Sequence, residues 1–146
     1  MAIKKVRAWH FVHENARLGY DAQELTVEPG YVYSEPGEPM LCQRGMHASI
    51  RAYDALQYAP GPIVCRVDVW GRVQHGNDKL GGRHREVITI ANVEKELRLF
   101  TCWCVRNTPL GDGRVVWDLL TNPRSRKVVE VAERYANGQA TTTELA

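Results

Sequence analysis

Two stretches of the chain alternate apolar and polar residues with a period of two, and this limits the folds open to it. In Ile63-Val-Cys-Arg-Val-Asp-Val-Trp70, residues Ile63, Cys65, Val67 and Val69 share one side. Between Lys4 and Val12, residues Val6, Ala8, His10 and Val12 alternate with Lys5, Arg7, Trp9 and Phe11. Successive side chains of a strand point to opposite faces, so each stretch predicts a sheet strand with one face against a core. A chain of 146 residues can bury one such core without disulfide or metal staples.

Turn and helix signals divide the remainder. Asn15 to Tyr33 mixes turn residues with a short strand around Glu24 to Val27. Glu28-Pro-Gly30 and Glu35-Pro-Gly37 carry the Pro-Gly signature of tight turns. Together they predict meandering antiparallel pairing. Ser49 is placed to cap a helix through Gln57, which Pro60-Gly-Pro62 stops. Gly71 to Arg85 is polar and glycine-rich and predicts a mobile basic loop, and Glu86 to Ala91 predicts a strand. Asn92 is placed to cap a helix to about Arg106, with Val93, Leu97, Phe100 and Cys104 at its apolar period. Asn122-Pro123 opens a second long helix that Gly138 ends, and Thr141-Thr-Thr-Glu144 matches a capping box. With only two residues after that box, a chain cut from a longer parent is the expectation.

Charge and cysteines exclude several classes. A net charge of +2 does not argue for nucleic acid by itself. No secretory signal or membrane-spanning apolar run is visible, so a cytoplasmic protein with free thiols and no membrane partner is expected. Cys42 and Cys65 stand alone. Cys102 and Cys104 lie two apart on a predicted helix and project away from each other, so no metal site is expected. No P-loop, dinucleotide cradle, serine elbow or metalloprotease helix appears.

The chemistry is concentrated in Cys42-Gln-Arg-Gly-Met-His-Ala-Ser49, where a glycine beside His47 lets backbone and imidazole converge on a ligand. His10 reads either as a hydrogen-bonded core histidine or as a ligand contact. The segment with Arg72, His75, Lys79, Arg83, His84 and Arg85 reads either as a solvated hairpin or as a clamp on phosphates, for which Arg44 is a further donor. An exposed Trp70 beside it would stack on a base or on nicotinamide. Arg124, Arg126 and Lys127 read as a surface cluster offset by Glu130 and Glu133, or as a contact to an acidic partner.

Several segments resemble a family of uncharacterised proteins from actinobacterial phages and their hosts. They are Val6-Arg-Ala-Trp-His-Phe-Val12, Leu41-Cys-Gln-Arg-Gly-Met-His-Ala-Ser49, Asp54-Ala-Leu-Gln-Tyr-Ala-Pro-Gly-Pro-Ile-Val-Cys-Arg-Val67, Asp78-Lys-Leu80 and Asn122-Pro-Arg-Ser-Arg126. Members often continue into alanine- and tryptophan-rich tails, and the resemblance implies a phage or prophage origin without a known activity. A more distant likeness concerns chemistry. A strand carrying His10, a Gly-Met-His-Ala element at a strand-to-helix junction and a following apolar strand ending in Gly71 are similar to the ADP-ribosyltransferase fold. There, a first-strand His holds the ribose of NAD, an aromatic stacks on nicotinamide and a later Glu acts at the reacting centre. The likeness implies catalytic positions at His10, His47 and Glu86, with His47 standing where that family has Tyr. The related RNA 2′-phosphotransferases use Arg and His instead, which suits Arg83, His84 and Arg85.

The expected fold is therefore α+β: a curved, mostly antiparallel sheet or split half-barrel with two to three helices. Residues 1–121 would form the core domain and residues 122–146 a helical extension. One functional expectation is an ADP-ribosyltransferase-like domain, active or degenerate, that binds NAD or a related nucleotide through His10, His47, Arg44, Trp70, Lys79, Arg83, His84 and Arg85 and acts on a host macromolecule. The alternative is a non-enzymatic module that binds a phage or host protein or nucleic acid.

Overall fold

The computed structural model describes residues 3–17 and 26–146. The strand expected around Glu24 lies largely outside them; Thr26 itself forms only an isolated bridge to Arg17. The elements in chain order are β1 (Val6–Val12), β2 (Val32–Ser34), β3 (Met46–Ala48), α1 (Ala52–Leu56), β4 (Ile63–Trp70), β5 (Gln74–His75), β6 (Leu80–Gly82), β7 (His84–Asn92), α2 (Glu94–Asn107), α3 (Val116–Leu119), α4 (Pro123–Ala136) and α5 (Thr142–Leu145). The fold is mixed α+β with antiparallel sheets. It has five helices among the described residues rather than two or three, because α3 and α5 are single turns of four residues.

Contacts divide the chain into two compact units, Met1–Asn92 and Val93–Ala146, ahead of the 121/122 boundary drawn from sequence. In the first unit a four-stranded sheet runs in the order β1-β4-β7-β2, and a three-stranded sheet in the order β3-β6-β5. The register of the larger sheet sorts its side chains into two faces. Val6, Val69, Arg85 and Tyr33 lie opposite one another in one row, Ala8, Val67 and Val87 in a second, and His10, Cys65 and Ile90 in a third. These rows form the inner face, and Ala8, Cys65, Val67 and Val69 are fully buried there. Ile88 is the extra residue of a bulge opposite Arg66/Val67, which returns Ile90 to the inner face. The outer face carries Arg7, Asp68 and Glu86 in one row and Trp70 and His84 in another. Arg7 forks onto Asp68, and Lys5 Nζ lies 2.5 Å from Glu86 Oε2.

Two local expectations are corrected. Ser49 does not cap α1: its backbone exchanges hydrogen bonds with Trp9 of β1 (2.7 and 2.9 Å), and Arg51 holds the cap position. Residues 71–85 are no mobile loop, since β5 and β6 lie within them and Leu80, Gly81 and Gly82 are all buried. The glycines that suggest a loop are there for close approach. A Cβ on Gly82 would sit 2.6 Å from Val69 Cγ1 and 2.8 Å from the Trp70 carbonyl oxygen.

In the second unit α2 packs with α4, burying Cys102 and Val131. Glu133 receives a fork from Arg106 at 2.6 and 2.8 Å, and the Arg106 guanidinium also covers the Trp117 ring at 4.1 Å. Asn122 caps α4 by accepting from the Arg124 N–H at 2.9 Å. Its far end closes as the sequence predicts, with Gly138 N–H on the Tyr135 carbonyl and Gln139 N–H on the Arg134 carbonyl. Thr141 and Glu144 exchange both bonds of the capping box. No helix among the described residues is long and apolar enough to cross a membrane.

Candidate functional site

The inner face of the larger sheet is not filled to its edge. Beneath β3 and the Met40–Arg44 turn lies a cavity of about 580 Å³, in the size range of small-molecule sites. Residues distant in sequence contribute to its wall: His10 from β1, His47 from β3, Arg85 from β7, Lys79 just before β6, and Arg44 from the turn.

Backbone geometry delivers His47. Met40 and Arg44 exchange backbone bonds of 2.7 and 2.8 Å, closing a turn in which Cys42 adopts a φ of 66°. Gly45 follows with a φ of 117°, and a Cβ there would meet the Gly82 carbonyl oxygen at 3.2 Å, so a glycine is needed where the chain enters β3. His47 Nε2 then accepts the Cys42 N–H at 3.2 Å, which leaves the ring proton of the neutral form to Nδ1.

Electrostatics set the character of the wall. His10 keeps some access through the cavity but lies deep in the protein; burial drives its pKa well below the ordinary imidazole value, and the charge of Arg85 and the proximity of His47 push the same way. Burial also lowers His47, helped by Lys79 and Arg85, while the Met40 and Gly45 carbonyls partly oppose the shift. Both rings are therefore neutral at neutral pH; His47 is held by the Cys42 N–H and the Met40 and Gly45 carbonyls, whereas His10 can donate from one nitrogen and accept at the other, which suits a hydroxyl-bearing ligand. The proximity of Cys42 and Tyr58 holds the Lys79 pKa up, and its ammonium lies 4.2 Å from the Tyr58 ring centroid. Arg85 is only 3% exposed. Its Nη1 donates to the His47 carbonyl at 2.7 Å, and its Nε has no partner.

Five of the residues singled out in the sequence, His10, Arg44, His47, Lys79 and Arg85, thus line one cavity, and Trp70, Arg83, His84 and Glu86 do not. Strand alternation is the reason for two of them: in β7, His84 and Glu86 flank Arg85 and must point to the opposite face. Glu86 is engaged there by Lys5. Trp70 stacks on His84 with ring centroids 5.4 Å apart and carries Lys5 Nζ 4.4 Å from its ring, so it is occupied rather than free for a base. Glu35, Tyr58 and Phe11 line the cavity without having been singled out. Glu35 arrives just after β2, positioned by its N–H on the Arg83 carbonyl at 2.9 Å. A glutamate next to Pro-Gly carries no sequence signal beyond the turn.

Among the described residues, no group of His, Cys, Asp and Glu side chains is arranged to hold a metal ion. All four cysteines are free, and burial pushes the Cys65 thiol up to about 11. No known protein family, curated protein or solved structure matches the chain.

Proposed function

We propose that this chain is a phage-encoded domain that binds NAD or a related nucleotide in the cavity beneath β3, with an ADP-ribosyltransferase-like split half-barrel as its fold. The observation that carries this reading is the convergence of two neutral imidazoles, His10 and His47, with the cations of Arg85 and Lys79 around a single concavity of nucleotide-compatible size. Neutral imidazoles suit ribose hydroxyls, and guanidinium and ammonium groups suit phosphates. His10 on the first strand and His47 after a glycine turn occupy the positions that the fold likeness assigns to ribose and nicotinamide contacts. The proposed setting is the host cytoplasm, with a host macromolecule as the acceptor of any transferred group.

One observation favours a second reading, a binding module without transfer chemistry. Glu86 lies on the outer face in an ion pair with Lys5, away from both imidazoles. In that case the cavity binds its nucleotide without turning it over. Glu35 is the carboxylate of the cavity wall and the candidate for any acid–base role.

Thermal-shift titration with NAD on wild type and His47→Ala tests the binding claim, because a ligand bound only to the folded state raises the melting temperature with concentration. The expected result is a rise in wild type that is reduced in the variant. A flat response to NAD, ADP-ribose and mononucleotides alike refutes it. Measuring nicotinamide release from NAD on the same samples separates the two readings, since only the enzyme produces it.

A further inference from the structure

We propose that the Arg85 guanidinium forms a buried subsite for a phosphate group of the ligand, terminal in a mononucleotide and internal in NAD, so that a phosphate rather than a base is what anchors the ligand deepest in the cavity. This rests on the nucleotide reading above and adds to it the group that anchors the ligand.

Arg7, Arg51, Arg72 and Arg106, all more exposed than Arg85, each hold a carboxylate. Arg85, at 3% exposure, forms no ion pair among the described residues. One hydrogen bond, from Nη1 to the His47 carbonyl, is what the protein gives it, and the Nε proton is left unused. Its ionisable neighbours cannot balance it. Burial raises both Cys65, to about 11, and Tyr33, so thiol and phenol stay neutral, and the two histidines are held neutral as well. Burial pulls Arg85 itself down to about 10, which still leaves it charged at neutral pH.

An uncompensated cation held almost wholly out of solvent is unfavourable, and an anion from outside the chain resolves it. The planar fork of a guanidinium matches two oxygens of a phosphate in a bidentate contact. Lys79 and Arg44 in the same wall bring further positive charge against the single carboxylate of Glu35, and with Arg85 the three cations leave the wall net positive, which favours a phosphate dianion.

A structural arginine and a ligand-anchoring arginine differ in what their loss does to the empty protein. Replacing an unpaired buried cation by an apolar side chain of similar length removes a charge at the cost of one hydrogen bond to the His47 carbonyl, so the unliganded fold should melt no lower. The test is calorimetric titration of wild type, Arg85→Met and Arg85→Lys with AMP, adenosine and inorganic phosphate, alongside melting of each protein without ligand. Wild type is expected to bind AMP at least about tenfold more tightly than adenosine. Arg85→Met should lose that preference with an unchanged or higher melting temperature, and Arg85→Lys should retain part of it. Equal binding of AMP and adenosine by wild type, or an undiminished preference in Arg85→Met, overturns the subsite. So does a melting temperature that falls in Arg85→Met and is restored in Arg85→Lys without phosphate discrimination. Arg85-dependent binding of inorganic phosphate with no binding of any nucleotide upholds the subsite and retires the nucleotide reading; nucleotide binding that ignores Arg85 does the reverse.

Discussion

His10 makes the stability of the first unit depend on pH in a direction that can be worked out in advance. In the unfolded chain its imidazole has the ordinary pKa of about 6.5. In the fold, burial and the Arg85 charge hold it well below that value, with Cys65 opposite it on β4 and His47 beside it on β3. A depressed histidine binds fewer protons folded than unfolded, so its contribution is intact above about pH 6.5 and is lost as pH falls through and below that point. At pH 5.5 the unfolded imidazole is about nine-tenths protonated, so a folded ring that resists protonation costs at most about 1.4 kcal/mol relative to pH 7.5. His47 acts in the same direction with a smaller effect, because it is only half-buried. Urea unfolding of wild type and His10→Gln at pH 7.5 and 5.5 measures the effect directly. Wild type should lose more stability than the variant on acidification, by up to about 1.4 kcal/mol. Parallel losses would show that the folded ring protonates as readily as an exposed one, and the neutral-imidazole argument for the cavity would go with it.

Two further outcomes test the packing. Gly82→Ala forces a methyl to within 2.6 Å of Val69 and 2.8 Å of the Trp70 carbonyl oxygen, so thermal melts should report a loss of about 3 kcal/mol or a failure to fold. Asn122→Ala removes the side-chain acceptor from the Arg124 N–H and should lower the stability of the α4 unit by about 1 kcal/mol, read from helix melting by circular dichroism.

What the sequence made legible was whatever follows from short-range rules. Alternation located β1 and β4, and the helix-end rules located Asn122, Gly138 and the Thr141–Glu144 box, because each signal is complete within a few residues. Non-local demands were hidden. Gly81 and Gly82 read as loop residues since nothing nearby in sequence announces that β6 must pass against Val69 and Trp70. Ser49 looked like a cap because its true partner, Trp9, lies on another strand. The cavity divides the same way. His10, His47 and Arg85 stood out by residue type, but treating His84, Arg85 and Glu86 as one group ignored the alternation that sends only the middle residue inward. Glu35 and Tyr58 reach the wall through turns, where no periodicity marks the direction of a side chain.

The two faces of the larger sheet have a consequence for how the protein can change over time. On the outside, Arg7 with Asp68 and Lys5 with Glu86 cancel each other locally, and because Asp68 is itself buried its pair can be exchanged only as a whole. Only one sheet thickness away, Arg85 has no such insulation. Exchanges within the outer pairs thus leave the interior charge in place, so the anion preference proposed for the cavity should persist in variants that differ on the outer face.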